Sequence, residues 1–179
     1  MFYTAHYQSP LGGITLASDG EALVGLWFDN QKYFADSISG QPTAGKSSLP
    51  VFADTCRWLD TYFKGQQPDF TPALKMLTTP FRKKVWEIML SIPYGKTMTY
   101  GEIAKRIAEQ NGIPQMSAQA VGGAVGHNSI SLIIPCHRVV GTNGSLTGYA
   151  GGIAKKVRLL QLEGTDMSRF SIPTQGTAI

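Results

Sequence analysis

Residues 1–30 read as antiparallel strands. Phe2 to Tyr7 and Gly13 to Ala17 alternate moderately between apolar and polar side chains, the period of strands. Ser9-Pro10-Leu11-Gly12 falls between them as a turn. Asp19-Gly20, between "ITLAS" and "EALVGLWF", predicts a two-residue hairpin. The period then changes. After a Ser-, Gly-, Pro- and Thr-rich stretch over residues 36–49, Phe52, Cys56, Leu59 and Phe63 recur at helical spacing. They predict a helix from Pro50 to Lys64, closed by Gly65. Cys56 lies on this apolar stripe and is expected in the core. "QQPDFTPALKMLTTP", residues 66–80, carries three prolines and no period. It reads as a linker, so one domain is expected over residues 1–75 and another over residues 76–179.

Helical spacing dominates the second part. Phe81, Val85, Ile88 and Met89 line one face of "FRKKVWEIMLSIPYG", and Pro93 and Gly95 end it. Ile103, Ala104, Ile107 and Ala108 predict a short helix, Gly112-Ile113-Pro114 a turn, and Ser117 the N-cap of a second short helix. Two short helices around a Gly-bearing turn match the helix-turn-helix pattern, although any pair of packed short helices gives the same trace. The second helix, "SAQAVGGAVG", holds Gly122, Gly123 and Gly126, and each internal Gly costs about 1 kcal/mol relative to Ala. Either another element packs tightly on it, or something as large as a duplex backbone comes close. The expected fold is α/β in the α+β sense. A small N-terminal antiparallel-sheet-plus-helix domain precedes a mostly helical, winged-helix-like domain.

Composition narrows the functional classes. A chain of 179 residues with 42% hydrophobic and 16% charged residues can build a core, and no apolar run approaches the roughly 18 residues of a membrane span. The start, Met1-Phe-Tyr-Thr-Ala-His, lacks the pattern of a secretory signal. The net charge of +4 favours an anionic partner. Two cysteines, Cys56 and Cys136, make no disulfide framework, and neither has a zinc-ligand spacing to the three histidines. The chain is therefore expected to be cytoplasmic, reduced and free of metal.

The chemistry concentrates in "SLIIPCHRVVG", residues 131–141, where Cys136 and His137 are neighbours. A nucleophilic cysteine needs thiolate character from a base, a cation or a helix N-terminus. In a continuous strand adjacent side chains point to opposite faces, so thiol and imidazole would not touch. Pro135 favours the start of a helical turn, which would bring the thiol to an N-terminus with His137 reaching it through a water.

"IPCHRVV" resembles the signature of the O6-alkylguanine-DNA alkyltransferases, also called methylated-DNA–protein-cysteine methyltransferases. "GKTMTYGEIA" (95–104), "AVGGAVGHN" (120–128), "GYAGG" (148–152) and "KKVRLLQLEG" (155–164) resemble that family's other blocks in the family's order. The resemblance covers residues 80–164. It implies irreversible, single-turnover transfer of an alkyl group from O6-alkylguanine, and from O4-alkylthymine, in double-stranded DNA to a cysteine after base flipping. No cofactor and no obligatory protein partner are implied. It makes Cys136 the alkyl acceptor, His137 its base through a water, and Glu163 the carboxylate that orients His137. Asn128 would brace the active-site turn, and Tyr100 would line the pocket and aid extrusion of the nucleotide. Val139, Tyr149, Ala150 and Gly151 would contact the guanine, and Gln119, Ala120 and Gly123 the DNA. Gln119 stands where most of the family carry an arginine that fills the gap in the base stack. The zinc ligands of some members' first domains have no counterpart here.

Overall fold

The first three predicted strands form in the computed structural model, which describes residues 1–173. Strands β1 (Phe2–Ser9), β2 (Gly12–Ser18), β3 (Leu23–Phe28) and β4 (Thr43–Gly45) build one sheet in the order β3-β2-β1-β4. The β1–β2 turn is as expected. Ser9 pairs with Gly12, the Ser9 hydroxyl donates to the Gly12 carbonyl (2.6 Å), and Gly12 takes φ +114°. Two expectations are corrected. Ser18 pairs with Leu23, so the second hairpin loop is Asp19–Ala22, twice the expected length. Asp19 Oδ1 stabilises it by accepting from the Glu21 and Ala22 amides at 3.0 and 2.9 Å. The sheet is also not wholly antiparallel, because the irregular connection after β3 returns β4 beside β1 in parallel.

All six residues of β3 are buried, although it ends the strand order. Two distant segments cover its open edge. The Leu23 amide donates to Ala73 O (2.8 Å) and the Lys75 amide to Leu23 O (2.9 Å). Further along, Leu26 donates to Ser129 O (2.8 Å) and accepts from the Ser131 amide (2.9 Å). An apolar strand left open at this edge would be a template for aggregation. Residues 66–80 are thus not merely a linker. The chain clusters into two units: Met1–Leu77 with Ser129–Ile133, and Thr78–Asn128 with the chain from Ile134 onward.

Helix α1 (Pro50–Phe63) buries Val51, Phe52, Thr55, Trp58, Leu59 and Tyr62. The stacked rings of Trp58 and Tyr62, 5.1 Å apart, turn the buried stripe away from the expected one. Larger apolar area decides which face goes in. Cys56 is left half-buried at the margin, not in the core.

In the second unit, α2 (Pro80–Leu90), α3 (Tyr100–Asn111), α4 (Ala118–Gly126) and α5 (Ile153–Leu162) accompany a parallel pair, β5 (Met98–Thr99) and β6 (Val139–Val140). Thr99 and Glu102 start α3 with a capping box, and Gly112 at φ +62° ends it. The Ser117 hydroxyl accepts from the Ala120 amide (3.2 Å) to start α4, which buries Val121, Ala124 and Val125. Trp86 Nε1 of α2 donates to Ala124 O at 2.8 Å. The glycines of α4 are not there for protein packing. A Cβ on Gly123 or Gly126 would meet no described atom within 4 Å, and one on Gly122 would only touch the Tyr100 ring at 3.9 Å. Of the two explanations the sequence allows, tight packing by another element fails. No described helix is long and apolar enough to cross a membrane.

Candidate active site

The two-residue strands β5 and β6 set the site. Met98 pairs with Val139 and Thr99 with Val140, so the first residue of α3, Tyr100, is registered against the residues that follow the thiol. Ahead of β6, Pro135 leads into one 3-10 turn, Cys136–Arg138, in which the Arg138 amide donates to Pro135 O (3.0 Å). Asn128 Nδ2 donates to Ile134 O (2.7 Å), tying the end of α4 to the entry of this turn. Every residue from Asn128 to Val140 is buried.

Burial pushes the Cys136 thiol above its usual range. A hydrogen bond from Asn128, the charge of Lys156 and the backbone N–H groups of Cys136 and His137 oppose that rise without cancelling it. The resting thiol is therefore protonated and needs a base. His137, fully buried, donates from Nε2 to Glu163 Oε1 at 2.6 Å. An ionised carboxylate only accepts, so Nε2 carries the proton and Nδ1 is the basic nitrogen. Burial holds His137 below its usual value against the pull of Glu163, with Arg138 and Lys156 acting in the same sense as burial. Thiol and imidazole are thus both neutral at rest.

Glu163, the residue that closes α5, is held from several sides. Arg138 donates from Nε to Oε2 (2.9 Å) and Oε1 (3.2 Å) and from Nη2 to Oε1 (3.0 Å), and the Gly95 amide donates to Oε2 (3.1 Å). Burial alone would raise this carboxyl; the hydrogen bonds from His137 and Arg138 outweigh it and bring it to about 2.

The Tyr100 hydroxyl donates to Thr147 O at 3.0 Å, and burial followed by the nearby Cys136 pushes it up to about 12. Gly148, at φ +68°, would place a Cβ 3.1 Å from that hydroxyl, so a side chain here would displace Tyr100. Tyr149 is buried beside the thiol, and its hydroxyl has no hydrogen-bond partner among the described residues. A buried O–H without an acceptor costs about 1–3 kcal/mol, which a bound ligand can offset. Ala150 and Gly151 are half-buried in the turn that follows, where the Gly152 amide donates to Tyr149 O (2.9 Å).

The structure therefore gathers Cys136, His137, Glu163, Asn128, Tyr100, Val139 and Tyr149. It leaves Gln119, Ala120 and Gly123 on the exposed face of α4, apart from this cluster. Sequence reasoning missed Lys156. Fully buried, it donates from Nζ to Val139 O (2.5 Å) and Thr147 O (2.9 Å), and burial lowers it to about 8. Beside Lys155 it reads as one more surface charge; only its position one turn from the α5 start, facing two carbonyls, distinguishes it.

Two family models match the chain: the DNA-binding domain of 6-O-methylguanine DNA methyltransferase over residues 80–165, and the ribonuclease-like domain of the same family over residues 2–76. The methylated-DNA–protein-cysteine methyltransferase of Mycobacterium tuberculosis H37Rv is 43% identical over 88% of this chain and 92% of its own. That of Methanosarcina acetivorans is 43% identical over 91% and 99%. The crystal structure of Mycobacterium tuberculosis O6-methylguanine methyltransferase superposes with TM-score 0.75 at 40% identity, covering 98% of this chain and 97% of that one. The Mycobacterium tuberculosis OGT crystal structure in complex with DNA gives TM-score 0.73 at 40% identity over 90% and 91%.

Proposed function

Because the chain belongs to the O6-methylguanine-DNA methyltransferase family, we propose that it repairs O6-alkylguanine in double-stranded DNA by taking the alkyl group onto Cys136. The observation that carries this reading is a buried, neutral thiol next to a buried, neutral imidazole whose other nitrogen is held by Glu163. The alkyl carbon lies inside a duplex, so the nucleotide must be flipped out to reach the thiol. His137 Nδ1 takes the thiol proton through a water. The sulfur lone pair then forms the S–C bond as the C–O6 bond breaks, and the electron pair leaves with guanine, which recovers a proton. The product is a thioether, a poor leaving group, so the protein acts once and needs no cofactor.

Tyr100 and the unpartnered Tyr149 hydroxyl are suited to hydrogen-bond a guanine edge, with Val139, Ala150 and Gly151 as its walls. Asn128 braces the turn. The open glycine face of α4 supports the reading of α3 and α4 as a helix-turn-helix that meets the duplex through Gln119, Ala120 and Gly123. O4-alkylthymine is a second substrate. In this division of labour residues 76–179 carry the chemistry, and residues 1–75 form the other domain, whose sheet edge residues 129–131 complete. The protein works on DNA inside the cell, in the cytoplasm, with no obligatory protein partner. Incubation with a duplex containing O6-methylguanine, followed by peptide mass spectrometry, tests the reading. A single added methyl on the Cys136 peptide is expected; methylation elsewhere, or catalytic turnover, overturns it.

A further inference from the structure

Arg138 stands in the middle of this site yet takes part in none of the steps above. Its guanidinium is buried and grips both oxygens of Glu163 at 2.9–3.2 Å. Its Nη1 donates to Ile92 O (2.7 Å), and its face lies 5.6 Å from the centre of the Tyr94 ring. The turn after α2 completes the cradle, since Gly95 donates its amide to the far side of the same carboxylate at 3.1 Å. A side chain at Gly95, which sits at φ +76°, would approach Glu163 O within 3.1 Å. Glu163 is thus a carboxylate whose charge is already matched before His137 is considered.

That matters because a lone carboxylate has two effects on a buried imidazole. It fixes the ring, and it also raises the ring's proton affinity. A protonated imidazole cannot accept the proton of a thiol. Resting on the alkyl-transfer reading, we infer that Arg138 is a positioning residue that cancels the charge of Glu163 as felt by His137, so that the carboxylate orients the ring without protonating it. The charged groups facing His137 are Glu163, Arg138 and Lys156. Tyr94 and Tyr149 face Glu163 from the turn after α2 and the loop before α5, and Lys156 faces Cys136. Lys156 directs its hydrogen bonds to the Val139 and Thr147 carbonyls, whereas Arg138 meets the carboxylate directly.

The test is the rate of alkyl transfer from free O6-benzylguanine to the full chain between about pH 5 and about pH 9, which needs no duplex. The wild-type rate is expected to hold down to pH values below the ordinary histidine value of 6.5. Arg138→Met should move the acid limb up by about one pH unit, a loss of about tenfold at a fixed pH on that limb. Glu163→Gln should move it the other way. The double variant, with neither charge, should return the limb close to wild type while remaining slower at every pH. Arg138→Lys, which keeps the charge without the fork, should keep the limb and lose rate. Should Arg138→Met not fold, Arg138→Lys and an NMR titration of the wild-type His137 ring decide the matter. A wild-type limb above 6.5, or single variants that shift it in the same direction or not at all, overturns the inference. Absence of benzyl transfer by the wild type at every pH is a different result and overturns the alkyl-transfer reading itself.

Discussion

The two cysteines sit in opposite surroundings. Cys56, at the margin of α1, is the more exposed, and burial and then the Asp60 carboxylate both raise its proton affinity. Asp60 in turn accepts a hydrogen bond from the Tyr7 hydroxyl at 2.7 Å. Cys136 is nearly inaccessible and burial raises it too, but Asn128, Lys156 and two backbone N–H groups pull the other way, and a neutral base is its chain neighbour. Exposure does not make a nucleophile. What separates the two thiols is whether a developing negative charge would find donors and a proton acceptor already in place.

The largest test of that contrast is to remove each sulfur in turn. Cys136→Ala should lose alkyl transfer completely while still binding alkylated duplex, whereas Cys56→Ser should keep a single-turnover rate within about twofold of wild type. Quenched-flow rates with O6-methylguanine duplex check both, and a slow Cys56→Ser would break the contrast.

Next in size is the proton acceptor. Glu163→Gln frees the His137 ring and should cost about a hundredfold in transfer rate, the scale of a misplaced general base, equally for duplex and free base. Unequal losses would move Glu163 from the chemistry to DNA binding.

The charges around Cys136 should also mark stability. The folded Glu163 value of about 2 lies below its ordinary 4.5. Its contribution is therefore fully present above about pH 4.5 and lost as pH falls toward 2. That contribution is on the order of 3 kcal/mol. Lys156 runs in the opposite sense: with a folded value of about 8 against 10.5, its cost to the fold is full below about pH 8 and fades toward 10.5. Urea unfolding at stepped pH should show the acid loss flattened in Glu163→Gln and the alkaline gain missing in Lys156→Met.

The smallest expected effects lie on the exposed face of α4. Gly123→Ala has open space for its methyl and should raise stability by up to about 1 kcal/mol while weakening duplex binding. Gln119→Ala should slow repair of duplex yet hardly change reaction with free O6-benzylguanine, and Gln119→Arg should raise duplex affinity and its salt dependence. Equal losses for duplex and free base in Gln119→Ala would place that side chain in the pocket. Thermal melts and fluorescence anisotropy with a duplex separate stability from binding.

What could be read from the sequence was what short-range chemistry fixes. The β1–β2 turn, the start of α1 at Pro50 and the N-cap Ser117 all depend on neighbours within a few residues. Cys136, His137 and Glu163 were legible through ordered motifs, not through any local period. The misses come from longer range. Which side of α1 turned inward followed the larger rings of Trp58 and Tyr62, which are buried while Cys56 and Phe63 are not. The hairpin loop after β2 has four residues and not two because Ala17 pairs with Gly25 and, across a bulge that leaves Val24 out of the ladder, Ser18 pairs with Leu23. Lys156 looked like an ordinary cation because nothing within a turn of it reveals the carbonyls it meets.

The covering of the β3 edge by Ser129–Ser131 has a consequence for biosynthesis. The segment that pairs with Leu26 is made about a hundred residues after it, so the first sheet leaves the ribosome with half of an apolar edge uncovered. Lys75 and Ala73 close the other half early, and Ile130 completes it only when most of the chain is out. The N-terminal region therefore cannot reach its final state as a separate early domain, despite its compact span of sequence. A chain stalled or truncated before Ser129 would present a sticky strand to its neighbours, and synthesis through the residues just ahead of Cys136 is what finishes the sheet.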